Sequence, residues 1–432
     1  MARKHSLGLL LVLVSITLIA VACGSTSPAS VRAGEARSDR ARITNPDVPE
    51  TDVAEVARGN NTFAFELYEA LRESEDGNLM FSPYSISTAL AMTYAGARGD
   101  TEAEMAQTLH FLAQDRLHPA LNALDLGLAP RAEQAPEGGD PLQLDIANSV
   151  WGQRDYDFAS AYLDTLALYY GAGLRLVNFA EDPDGSRRAI NDWVSDQTQE
   201  RIPELFPEGV IDRMTRLVLA NAIFFKASWA FPFDQAATRD GPFFLLNGSE
   251  VRVPMMSFGE EATLAYARLD GAQAVALPYL GQASMLLIVP DEGEFESFEA
   301  SLDAEALDAV TESLQRYLVE LSMPKFEFES AFSLSKTLKE LGMPLAFGAA
   351  DFSGMNASGE RGLFISEVVH KANITVDERG TEAAAATGVA VADSLPPGPV
   401  RLTIDQPFIF VIQDSATGAI LFAGRVLNPA AS

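Results

Sequence analysis

The chain of 432 residues contains one cysteine, four histidines and only six lysines. Each scarcity excludes something. The cysteine, Cys23, stands near the N-terminus, so the rest of the chain forms no internal disulfide and offers no Cys-His pair for nucleophilic catalysis. Beyond His5, the histidines His110, His118 and His370 come with neither a His-Glu-x-x-His nor a nucleophile-elbow pattern. Ser333-Leu334-Ser335-Lys336 matches the Ser-x-x-Lys pattern of penicillin-recognising enzymes, but its Ser-Asp-Asn and Lys-Thr-Gly partners are missing. The chain is therefore read as no enzyme. Gly171-Ala172-Gly173 lacks the later glycine of a dinucleotide loop, and no cofactor is expected. Positive charge is short as well: 31 Lys and Arg face 60 Asp and Glu, a net charge of -29. Such a surface repels nucleic acid, and with no Lys/Arg cluster on a helix no heparin-like cofactor is expected. We read the preference for Arg over Lys as genomic bias or a saline habitat.

The N-terminus reads as a processing signal. Arg3 and Lys4 precede an apolar run from Leu7 to Val21, which leads into Ala20-Val21-Ala22-Cys23. Two small or β-branched residues before a lone cysteine suit a lipoprotein signal peptidase, which cleaves before a lipidated cysteine. Ala20 stands where leucine is more usual, and an ordinary secretory signal with a chance cysteine is the other reading. At about fifteen residues the run is short for a transmembrane helix. Residues 24 to 57, rich in Ser, Ala, Pro, Asp and Arg without lasting periodicity, read as a flexible tether. The expected division is a leader over 1–22, a lipidated tether over 23–57 and one domain over 58–432, placed at the cell envelope or extracellular surface by a lipid on Cys23.

With 47% hydrophobic and 9% aromatic residues the chain can bury a large core. No Pro/Gly/Ser linker interrupts it after about residue 58, so a single domain is expected. Asn61 to Tyr68 has helical spacing of apolar residues. In Asn78 to Ser87, Ser82-Pro83 can open a helix that is apolar almost all round and hence buried. Gly96 to Thr101 breaks the chain before a helix over Glu102 to Leu109. Leu144 to Trp151 and Leu217 to Lys226 read as strands, Ile190 to Val194 and Gln197 to Ile202 as helix, and Gln406 to Ile412 with Gly418 to Val426 as a closing hairpin of buried strands.

Residues Glu378 to Thr387 read Glu-Arg-Gly-Thr-Glu-Ala-Ala-Ala-Ala-Thr. At a period of two, one face carries Thr381, Ala383, Ala385, Thr387, Val389 and Val391, and the other Glu382, Ala384, Ala386, Gly388, Ala390 and Ala392. The first face can be buried and the second tolerates water. Such a segment can enter between two strands without clashes, with Gly380 supplying backbone freedom. The same alanines also suit one turn of helix.

The decapeptide resembles the reactive-loop hinge of the serpins, and serpin-like patterns run in the family's order from about Asn61 to Pro429. Val253-Pro254-Met255-Met256, Leu277-Pro278-Tyr279, Leu287 to Pro290 and Met323 to Phe326 continue the match. The resemblance implies an α+β fold with a large mixed β-sheet, further sheets, about eight or nine helices and an exposed reactive loop at about 378–400. It implies a hinge at Glu378, Gly380, Thr381, Glu382, Ala383, Ala384, Ala385, Ala386 and Thr387, and a polar shutter of Ser82, Ser85, Asn221 and His370. It further implies a monomer that inhibits a serine protease by suicide, forming an acyl-enzyme and then inserting the cleaved loop. Counting from Gly380 puts the cut at Ser394-Leu395, whereas alignment on Ser394 and Pro396-Pro397 puts it at Asp393-Ser394. The small residues Ala390, Val391 and Ala392 suit elastase-like or subtilisin-like proteases, and the absence of Arg and Lys between Gly380 and Pro399 disfavours a trypsin-like one. A non-inhibitory binding or storage role, or inhibition of a cysteine protease, are the alternatives. Arg379 departs from the family's acidic preference at the hinge edge, where it could slow insertion.

Overall fold

The computed structural model describes residues 34–133, 143–381 and 399–431. In chain order, β1 (Gly34–Ala36) precedes α1 (Glu50–Arg72), β2 (Leu79–Phe81), α2 (Pro83–Tyr94), α3 (Gly99–Thr108) and α4 (Gln114–Glu133). Next come β3 (Gln143–Gln153), α5 (Ser160–Thr165) running into a π-helical turn (Leu166–Tyr170), β4 (Leu174–Val177), α6 (Pro183–Gln197) and β5 (Leu217–Ser228). The hairpin β6 (Arg239–Phe244) and β7 (Glu250–Ser257) leads to the meander β8 (Ala262–Arg268), β9 (Ala272–Pro278) and β10 (Ala283–Pro290). Then follow α7 (Phe295–Ala300), α8 (Ala304–Ser313), β11 (Gln315–Pro324), β12 (Phe326–Ser333), α9 (Ser335–Leu341), β13 (Ile365–Asp377), β14 (Gly380–Thr381), β15 (Val400–Thr403), β16 (Phe408–Asp414) and β17 (Ile420–Val426).

Two sheets carry the architecture. The first has seven strands in the order β1-β4-β3-β5-β14-β13-β12, with β3–β4 and β5–β13 parallel and the other pairs antiparallel. The remaining strands form one ten-stranded second sheet, with β15 beside β11. This is the expected α+β arrangement, with nine α-helices among the described residues. Ser82 opens α2, its hydroxyl accepting from the Ser85 N–H at 3.1 Å, and Pro83 sits in the first turn where its missing N–H costs nothing. Because α2 is apolar almost all round it is buried, packed against β3 and β5 of one sheet and β17 of the other. A second, smaller core lies on the other face of the first sheet, where α6 and residues 202–211 cover Trp151, Val218, Ala220 and Ala222.

Three expectations need correction. The first helix begins at Glu50, not near Asn61. Gly59 hid it: a Cβ there would lie 2.4 Å from the His110 carbonyl oxygen, so the helix accepts a poor helix former to let that backbone approach. The tether expected over 23–57 is folded from Gly34 onward, since β1 pairs with β4 and α1 spans the expected boundary. The helix expected over Gln197 to Ile202 ends at its first residue. Gln199 and Glu200 turn left-handed, with φ of 51° and 64°, while the Thr198 hydroxyl accepts from the Ile202 N–H.

A buried ion pair ties β17 of the second sheet to α7 and α1. Arg425 on β17 donates to Glu299 at 3.0 and 3.1 Å and to the carbonyls of Gly77 and Glu75, and the Tyr68 hydroxyl donates to Glu299 at 2.6 Å. Glu299→Ala leaves a buried guanidinium unpaired and is expected to cost about 3–5 kcal/mol. Removing exposed Arg268 from Asp291 is expected to cost under about 1 kcal/mol. Urea denaturation of the two variants checks the contrast.

Candidate functional site

The site is a gap in the first sheet. β5 and β13 pair directly, in parallel, from Leu217 with Ile365 to Phe224 with Asn373. Beyond that point β14 occupies the space between them, Thr381 facing Ala227 and Val376, Gly380 facing Ser228 and Asp377. Only glycine fits at 380, where φ is +155° and a Cβ would stand 2.1 Å from the Ala227 carbonyl oxygen. Thr381 is fully buried, as its face in the alternating pattern requires, and its hydroxyl meets that of Tyr279 at 2.8 Å.

The turn that delivers β14 is held on several sides. The Trp229 indole N–H donates to the Asp377 carbonyl at 3.0 Å, its backbone N–H donates to the Arg379 carbonyl at 2.9 Å, and its ring stacks on Tyr279 at 4.3 Å. The Phe233 N–H donates to the Glu378 carbonyl at 2.7 Å. Glu378 buries its carboxylate against Lys325 at 2.5 Å and accepts from the Thr238 hydroxyl at 2.7 Å. Burial acts to raise its pKa, but these hydrogen bonds outweigh it and hold the carboxyl below its usual range. Arg379 points to solvent. The other residues expected in the hinge, Glu382, Ala383, Ala384, Ala385, Ala386 and Thr387, and the scissile candidates Asp393, Ser394 and Leu395, lie outside the described residues, as does Cys23. On the far side of that segment β15 is anchored in the second sheet, Val400 facing Val319.

Below the gap the structure brings Ser82, Ser85, Asn221 and His370 together, all fully buried. His370 and Asn221 face one another on β13 and β5, joined by a hydrogen bond from His370 Nδ1 to Asn221 Oδ1. His370 Nε2 accepts the Ser82 N–H at 3.1 Å, so the neutral ring carries its proton on Nδ1. Asn221 Nδ2 donates to Ser85 Oγ at 2.7 Å and to Asn148 Oδ1 at 2.5 Å. The amide of Asn148 also binds Ser85, accepting from Oγ and donating to the carbonyl. Asn148 completes the cluster and escaped the sequence reading. Its signal was present, one amide inside an otherwise strand-like run, but only the pairing of β3 with β5 places it opposite Asn221.

Outside the cluster, the Ser-x-x-Lys match assembles no nucleophile. The hydroxyls of Ser333 and Ser335 both donate to Glu367 at 2.7 Å, while exposed Lys336 leans toward Glu340. His118 is buried beside Tyr170, 2.6 Å from its hydroxyl.

Burial pushes the His370 pKa down to about 3 and that of His118 to about 4. Unfolding frees both rings to take a proton near pH 6.5, so the unfolded chain binds more protons across this window. Stability is therefore complete above about pH 6.5 and falls as pH drops toward the folded values, each ring adding a slope of up to about 1.4 kcal/mol per pH unit. His370→Gln is expected to flatten that slope by the share of one histidine, which denaturant titrations between pH 7 and 4 would read.

Comparison with known proteins agrees with this geometry. Residues 58–429 match the family model described as Serpin (serine protease inhibitor). An uncharacterized serpin-like protein of Thermococcus kodakarensis is 40% identical over 379 residues, covering 87% of this chain and 86% of that protein. The leukocyte elastase inhibitor of Homo sapiens is 38% identical over 387 residues, covering 87% of this chain and 100% of that protein. The crystal structure of human thyroxine-binding globulin superposes with a TM-score of 0.76 at 30% identity, covering 88% of this chain and 100% of the other. The sheet with its seated hinge, the buried polar cluster beneath it and these likenesses along the chain make this protein a member of the serpin family.

Proposed function

We propose that the protein inhibits a serine endopeptidase by a suicide mechanism, with an elastase-like or subtilisin-like target. One observation carries the reading: Gly380 and Thr381 of the expected hinge are already strand, seated between β5 and β13, while the chain beyond the loop is held in the other sheet. A cut between these anchors frees the hinge side to continue inward and leaves β15 where it is.

The existing register fixes what that continuation meets. Extending the pairing of Thr381 with Ala227 and Val376 sets Glu382 opposite Lys226, Ala385 opposite Ile223 and Thr387 opposite both Asn221 and His370. Thr387 keeps the parity of Thr381 and enters the polar cluster with a hydroxyl that can take up the partners released when the His370–Asn221 bond parts. The fourteen steps from Gly380 to Ser394 reach roughly 45 Å, comparable to a domain diameter.

In the chemical step the protease serine oxygen forms an ester with the carbonyl of the residue before the cut. The peptide bond to the next residue breaks, and its nitrogen leaves with the catalytic proton. The reactive bond is Ser394-Leu395, or Asp393-Ser394 on the second alignment. Insertion before deacylation then carries the acylated protease away along the sheet. The small residues before the cut, together with the kinship to a leukocyte elastase inhibitor, support the target class. Lipidation of Cys23 would hold this inhibitor at an envelope membrane.

The likeness to thyroxine-binding globulin favours a second reading, a binding protein that does not trap proteases. Arg379 bears on this choice, and it leaves insertion open because its side chain stays in solvent.

Incubation with elastase-like, subtilisin-like and trypsin-like proteases is expected to give a detergent-stable complex with the first two, and a released peptide beginning at Leu395 or Ser394. Cleavage by all three without a complex would replace inhibition with the binding role. Thr381→Arg puts a charge at a fully buried position and is expected to abolish the complex while leaving loop cleavage intact. Unchanged inhibition in that variant would remove insertion from the mechanism.

A further inference from the structure

We propose that Arg42 is a positioning residue for loop insertion, the clasp of an N-terminal strap that holds the first sheet closed. The proposal rests on the insertion reading above. A strand entering between β5 and β13 must move them apart by one strand spacing, about 4.8 Å. The β13–β12 side is fused to the second sheet through β2, which packs on both strands and pairs with β17. Movement therefore falls to the other half, β1-β4-β3-β5.

Residues 34–43 grip that moving half. β1 pairs with β4 through Gly34–Leu176, Glu35–Arg175 and Ala36–Leu174. The Arg37 guanidinium donates to the Gly171 carbonyl at 2.8 Å, and the Ser38 hydroxyl donates to Asp164. The Ile43 N–H donates at 2.9 Å to the carbonyl of Leu168, inside the π-helical turn. The same few residues also hold the stationary body. Arg42 donates through Nε to Asn122 Oδ1 at 2.8 Å and through Nη2 to Asp125 Oδ2 at 2.5 Å, and Asn122 returns a bond to the Ile43 carbonyl at 2.8 Å. Both partners lie on α4, which packs against α1.

From Asp125 the line continues inward. Its other oxygen accepts the Tyr84 hydroxyl at 3.0 Å, and Tyr84 precedes Ser85, whose side chain binds Asn148 and Asn221. The strap thus spans the boundary that insertion must shift, and its clasp reaches the polar cluster through α2. The ion pair is half-buried: the Arg42 side chain is 26% exposed and that of Asp125 35%. By contrast β1 is largely exposed and buries little apolar surface, so its grip contributes less to the core than to this boundary.

Uptake of a synthetic peptide spelling Thr381 to Ser394 by the uncleaved mature chain, followed on native gels, reads sheet opening without any protease. Arg42→Ala and Asp125→Asn are each expected to take up the peptide about tenfold faster than the unaltered chain. The double variant should be no faster than either alone, and Arg42→Lys intermediate. Arg268→Ala, which loses an ion pair in the second sheet, is expected to match the unaltered chain. Circular dichroism melting establishes that each variant is folded. Equal rates in Arg42→Ala, Asp125→Asn and Arg268→Ala would overturn the strap and leave insertion standing. Absence of uptake by every folded variant would overturn insertion itself, and the strap with it.

Discussion

Two parallel strands that bond to each other along part of their length and are wedged apart beyond it set the character of this molecule. β5 and β13 are complete as a pair up to Phe224 and Asn373, after which Gly380 and Thr381 stand between them. Antiparallel pairing on both sides of an entering strand satisfies more backbone groups than the single slanted parallel ladder it replaces. On the proposed insertion mechanism, the closed pair would be a compromise held by local interactions. At its centre is the hydrogen bond between His370 and Asn221, which crosses the line along which a strand would enter.

Under the proposed insertion, the polar cluster beneath the sheet would do what an apolar core could not. Hydroxyl and amide groups have several lone pairs and donors, so Ser85, Asn148 and Asn221 can trade partners while remaining satisfied. A neutral histidine suits this place better than a charged side chain, because its proton on Nδ1 serves Asn221 while Nε2 receives the Ser82 N–H. At the upper end, Glu378 is a different device. Its buried carboxylate is fixed by Lys325 and Thr238, so the turn feeding the gap keeps its place.

Legibility differed sharply between these parts. The buried α2 was readable from Ser82-Pro83 and its all-round apolar run, and β3, β5 and the final hairpin from their apolar stretches, because burial writes itself into composition. Of the expected hinge, Gly380 and Thr381 lie where the alternating pattern asks, as strand between β5 and β13 with Thr381 buried. β1 was not readable, since three residues, two of them exposed, joined by backbone pairing and an arginine clasp carry no apolar period. The early start of α1 was masked by Gly59, whose reason is a carbonyl from distant His110.

By itself, then, the sequence pointed to Gly380 and the alternating small residues after it, while the family resemblance named Ser82, Ser85, Asn221 and His370. Tertiary structure alone decided that Asn148 joins Asn221, that Trp229, Tyr279 and Lys325 hold the turn, and that Arg42 reaches Asp125. Each of these pairs is distant in the chain and is joined by strand register or a long polar side chain. Neither leaves a periodic trace, because a contact of that kind constrains one residue at each end and nothing between.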